Sequence, residues 1–128
     1  MTAFPYPPLR ASLTFEGVLV EGVFASKMKL MAAYVISEVE ILDRSLIDEY
    51  RSLAEATIAK HGGRYLVRGG AIESLESNWQ PKHIVIVEFP TMERAREWYN
   101  SPEYAEALKV RQGALNRKLI LVAGTSVT

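Results

Sequence analysis

The chain has 128 residues and a mass of 14.3 kDa, the size of one domain. Fifteen Lys and Arg balance fifteen Asp and Glu, and there is no Cys. A net charge of zero lacks the basic footprint of a nucleic-acid or anionic-membrane binder, and the absence of thiols excludes disulfides, thiolate nucleophiles and zinc–thiolate centres.

The elements follow in chain order. Residues 1–30 hold three of the six prolines and read as an extended, irregular N-terminal extension. Within them Ser12–Phe24 is apolar with an ambiguous period. A domain spanning residues 31–128 then begins. Ala32–Ile41 alternates as a strand. Leu46, Ile47, Tyr50, Leu53, Ala54 and Ile58 draw one stripe along a helix. Asp43 or Ser45 caps its start, Lys60 and His61 sit at its negative end, and Gly62-Gly63 stop it.

Arg64–Arg68 is a short strand ended by Gly69-Gly70, and Ala71–Glu76 is expected to add another. His83–Phe89 is apolar on both faces and therefore central, and Pro90 stops it. Thr91 caps a second helix through Asn100, and Ser101-Pro102-Glu103 restarts it. Gly113 is expected to end that helix, and Leu119–Ala123 closes the domain as a strand.

The order β-α-β-β-α-β predicts an α+β fold, the ferredoxin-like sandwich. Its four-stranded antiparallel sheet carries the helices on one face. The other face is also apolar and needs a cover. A second copy would bury on the order of 1,000 Å² there, which predicts a homodimer built sheet against sheet. Removing residues 1–30 is expected to leave that dimer intact.

From Met31 onward the chain resembles the domain of unknown function 1330 family, within the dimeric α+β-barrel superfamily. The resemblance is carried by Tyr34, His61-Gly62-Gly63, Arg68-Gly69-Gly70, Trp79-x-Pro81, Glu88-Phe89-Pro90 and Ala95-x-x-Trp98-Tyr99-x-Ser101-Pro102-x-Tyr104. It implies a dimer whose two sheets close into a barrel, and it brings no established reaction. Wider relatives include cofactor-independent monooxygenases, haem-degrading enzymes and lactone isomerases, with a pocket between sheet and helices. The haem-degrading and monooxygenase relatives often carry a histidine in the second helix; residues 91–112 contain none.

Six residues stand out as site candidates. Arg68, beside two glycines, suits a carboxylate or phosphate, although ordinary turn glycines and a pairing of Arg68 with a nearby acid are the favoured explanation. Glu88, in an apolar strand, is a candidate general base or the partner of Arg64 or Arg68. His83 opens the same strand and is a candidate acid or base. Trp98 and Tyr99 point about 100° apart, so one suits the core and the other a pocket rim. With Tyr34, these residues are expected to line one pocket between sheet and helices. The expected ligand is a small organic molecule, with Arg68 orienting an anionic group. No nucleotide-binding or hydrolase motif is present. Two histidines, His61 and His83, are too few for an all-nitrogen metal site. No apolar run approaches the roughly 18 residues of a membrane span, and no signal peptide is recognised. The expectation is therefore a cytoplasmic protein without metal or cofactor. The alternative to a binding protein or cofactor-independent enzyme is a module that only dimerises.

Overall fold

A computed structural model describes residues 31–125. The N-terminal extension expected over residues 1–30 lies outside them. Strands β1 (Ala33–Ile41), β2 (Arg64–Arg68), β3 (His83–Phe89) and β4 (Leu115–Ala123) form one antiparallel sheet in the order β2-β3-β1-β4. Helix α1 (Arg44–Lys60) joins β1 to β2, and α2 (Met92–Tyr99) with α3 (Pro102–Ala114) joins β3 to β4. This is the ferredoxin-like α+β arrangement read from the sequence, with β1 and β3 central.

The alternation of β1 decides which face meets the helices. Ala33, Val35, Ser37 and Val39 are buried, whereas Tyr34, Ile36 and Glu38 remain half-buried on the other side. Register carries the same division across the sheet. Val39 lies between His83 and Arg117, Ser37 between Val85 and Leu119, and Val35 between Val87 and Leu121.

Each helix start is closed by a side chain. Asp43 accepts from the Ser45 backbone N–H at 2.8 Å, so of the two proposed caps it is Asp43 that serves. Thr91 Oγ1 accepts from Arg94 N at 3.0 Å. Ser101 Oγ accepts from Tyr104 N at 3.1 Å and donates to Trp98 O at 2.8 Å, and Pro102 follows in the first turn. Gly62 has φ +81°, the left-handed stop after α1.

Beneath the helices lies an aromatic cluster. Trp98 sits 5.2 Å from Phe89 and 4.2 Å from Tyr104, ring centre to centre. Its indole N–H donates to Thr57 Oγ1 at 3.0 Å, which satisfies the one polar atom it brings into the core.

Three expectations need correction. Residues 71–76 form no strand: they are exposed, and the loop turns through positive φ at Ser77 and Asn78 instead of pairing. Gly113 does not end α3, which continues through Ala114; a Cβ at Gly113 would meet Leu46 Cδ1 at 3.1 Å, so close packing explains that glycine. Strand β4 begins at Leu115 rather than Leu119, running directly out of the helix. The four added residues include Arg117, which the site depends on.

Candidate functional site

Between the sheet and α1 lies a cavity of about 100 Å³. Most of its wall is apolar, from Val35, Val39, Ile47, Ala54, Val85 and Val87. Into this wall project Ser37, Tyr50, His83 and Arg117, while Arg51, Arg68 and Gly69 are exposed and stand at its mouth.

Arg117 is the dominant charge. Its Nη1 donates to the Tyr50 hydroxyl at 2.8 Å and its Nη2 to the Tyr104 hydroxyl at 2.7 Å, and the two hydroxyls are 2.7 Å apart. Among the described residues no carboxylate pairs with it. Burial works against the charged guanidinium, but the two phenol oxygens facing it outweigh that and hold its pKa above the ordinary value. Burial pushes the Tyr104 phenol well up, and that of Tyr65, behind the cavity mouth, to about 12. Both remain neutral donors at physiological pH.

The six candidates divide between two faces. Arg68, His83 and Trp98 line the cavity. Arg68 also forms an ion pair with Glu55 of α1 and lies 4.3 Å over the Tyr65 ring. It reaches this side because β2 carries a register shift between Tyr65 and Val67; regular alternation from Tyr65 would have turned Arg68 to the opposite face. Trp98 is 2% exposed and belongs to the core, whereas Tyr99 is 44% exposed. Tyr99 borders a separate surface groove beside Leu119, Ile120 and Leu121.

Tyr34 and Glu88 stand on the helix-free face, so the expected single pocket holding all six residues is not formed. They occupy paired positions on β1 and β3, and alternation turns both away from the helices. There the Tyr34 hydroxyl donates to Glu88 Oε2 at 3.1 Å and Arg64 Nε donates to Oε1 at 2.7 Å. Arg64 is thus the arginine that pairs with Glu88. Its hydrogen bond, helped by that of Tyr34, holds the Glu88 carboxyl below its usual pKa and outweighs desolvation. A carboxylate held that way is a poor proton acceptor at neutral pH.

The sign of the linkage follows. A lowered folded-state pKa contributes stability above the unfolded value of 4.5, lost as pH falls through the folded value. Glu88→Gln is therefore expected to flatten the acid limb of stability against pH, read by urea melts from pH 6 to pH 2.5. An acid limb unchanged in the variant would show that the pair contributes nothing.

Four residues of the site were missed as site residues from sequence: Ser37, Tyr50, Tyr104 and Arg117. Both tyrosines lie on helix stripes and read as core. The usable signal was Arg117-x-Leu119-x-Leu121, a period-two pattern that places Arg117 on the inward side once the strand is extended. Among the described residues no three His, Asp or Glu side chains converge as metal ligands, and no helix is long and apolar enough to cross a membrane.

The family model of a domain of unknown function, DUF1330, matches residues 32–125. The chain belongs to this family. Its match starts one residue after Met31, and it covers every element of the fold. No curated protein matches the chain. Among solved structures, a protein of unknown function from Rhodopseudomonas palustris is 19% identical, with a TM-score of 0.63 over 87% of this chain and 95% of that one. SnoaB, a cofactor-independent oxygenase from Streptomyces nogalater, is 10% identical, with a TM-score of 0.55 over 76% and 96%. A dimeric protein of unknown function with a ferredoxin-like fold, from Bacteroides fragilis, is 16% identical, with a TM-score of 0.51 over 73% and 96%. At these identities the likeness is one of fold.

Proposed function

We propose that the chain is a homodimeric small-molecule-binding protein whose ligand enters the cavity between the sheet and α1. The observation that carries this reading is the convergence of Arg117, Tyr50, Ser37 and His83 on an otherwise apolar space. An apolar wall with a few placed polar groups is the usual composition of a ligand site. In an enzymatic form, His83 is the group positioned at the cavity to move a proton, Arg68 stands at the mouth, and Glu88 acts in the sheet face instead.

Dimerisation is supported by the helix-free face. Ile36, Ile84 and Ile86 occupy its centre, and Ile120 and Val122 on the edge strand are 59% and 39% exposed. A contiguous apolar sheet face of this kind marks a protein contact. The two-fold partner that fits it best is a second copy, since Arg64–Glu88 and the acidic Glu38 and basic Lys118 can then meet complementary charge around the apolar centre.

A second reading, a module whose only activity is dimerisation, is favoured by the cavity's volume. About 100 Å³ is a third of the roughly 300 Å³ at which drug-sized pockets begin. A thermal-shift screen of small metabolites separates the two. A ligand present at about 100 times its Kd should stabilise the fold by about 2.7 kcal/mol. Val85→Phe, which fills the cavity, should abolish the shift. Silence across the panel, together with no small molecule released from the purified protein on denaturation, leaves the dimerisation module.

A further inference from the structure

Resting on the pocket reading above, we infer that the cavity takes a small carboxylate, gripped by the Arg117 guanidinium and the Tyr50 hydroxyl. A hydrogen-bond count leads there. A guanidinium offers five N–H donors and no acceptor; two of the five are engaged, one on each phenol oxygen. The phenols together hold two hydroxyl hydrogens, and the contact between them uses one. One hydroxyl hydrogen is left. Either hydroxyl can donate in that contact; when Tyr104 donates, Tyr50, which lines the cavity, is free to donate to a ligand there.

The cluster therefore presents a positive charge and unused donors, with no carboxylate among the described residues paired with it. A partly buried charge without a counter-ion is costly, and an anion supplied from outside relieves it. The planar guanidinium fork matches a carboxylate in two parallel hydrogen bonds. The rest of the wall, Val35, Ile47, Ala54 and Val87 among it, suits a short hydrocarbon tail. A volume of about 100 Å³ restricts that tail to a few carbons.

Arg117 also borders a groove on the outer side, next to Arg111, whose Nε is buried without a hydrogen-bond partner. That groove mixes Glu38 and Glu40 with Lys82 and Lys118, Glu40 being paired with Lys82, so its charges already answer one another, whereas no carboxylate lines the cavity. The inner side is the better anion site.

The test compares two isosteres, sodium isobutyrate and neutral isobutyramide, with inorganic phosphate as a third probe. Each is titrated into the full chain at constant ionic strength, with Tm and calorimetric heat as readouts. Isobutyrate is expected to bind at least tenfold more tightly than isobutyramide. Arg117→Met should remove that preference, Arg117→Lys should restore part of it, and Tyr50→Phe should weaken the acid about fivefold. The isostere comparison and Tyr50→Phe stand even where Arg117→Met does not fold. Equal binding of acid and amide overturns the inference and leaves the pocket reading in place. Binding of phosphate alone, or acid binding that survives Val85→Phe, also overturns it, the latter by moving the anion to the outer groove. If none of these probes binds while other metabolites shift Tm, the inference falls alone; if nothing binds at all, the pocket reading falls with it.

Discussion

Ile86→Lys is expected to convert the proposed homodimer of 14.3 kDa chains into monomers. Ile86 lies on a central strand, paired with Ile36 on one side and Val67 on the other, in the middle of the helix-free face. A two-fold interface brings each substituted lysine into the same apolar patch, so two ammonium groups lose hydration without a partner. The effective penalty is several kcal/mol per ion, which weakens association by a factor of about 1,000 or more. Light scattering at micromolar concentration should report the mass halved, with far-UV circular dichroism retained. A wild-type protein that is already a stable monomer, or a lysine variant that stays dimeric, removes the sheet-to-sheet interface. Truncation of residues 1–30 should leave the mass at the dimer value; a monomeric truncate would assign the contact to the extension.

Phe89→Ala is expected to cost about 3–5 kcal/mol, the range for deleting a fully enclosed aromatic. Phe89 has no exposure, stacks on Trp98, and fills the space beside Gly63, where an added Cβ would lie 2.8 Å from its ring. Because α1 and α2 both close over this ring, the surrounding groups cannot collapse freely into the void. A domain of this size has about 5–15 kcal/mol of stability in all, so the loss should be plain in a urea melt. Phe89→Leu, which keeps most of the volume, should cost far less. A cost below about 1 kcal/mol for the alanine variant would mean that the aromatic cluster is not the centre of the core.

The two effects have different origins. The first leaves each subunit intact and acts on association alone; the second acts within a subunit and should weaken monomer and dimer alike. Combining Ile86→Lys with Phe89→Ala therefore tests independence, since the substitutions lie on opposite faces of the sheet. Their effects on subunit stability are expected to add.

Local chemistry determined much of the molecule. The helix stripe of α1, the cap at Thr91, the Ser101-Pro102 restart and the strand His83–Phe89 are all short-range patterns, and each forms where the residues dictate. The fold and the apolar second face follow from period and order, which a single chain displays. Site membership does not, because it depends on parity along a strand. One extra residue at the β2 irregularity decided that Arg68 faces α1, and alternation across the β1–β3 pair sent Tyr34 and Glu88 the other way. Neither a bulge nor a cross-strand register is written in any local run of side chains. Arg117 met Tyr50 and Tyr104 only through packing of β4 beneath α1 and α3, across 67 and 13 residues of chain. That meeting turned two core tyrosines and a surface-like arginine into a donor cluster, and only the tertiary structure decided it.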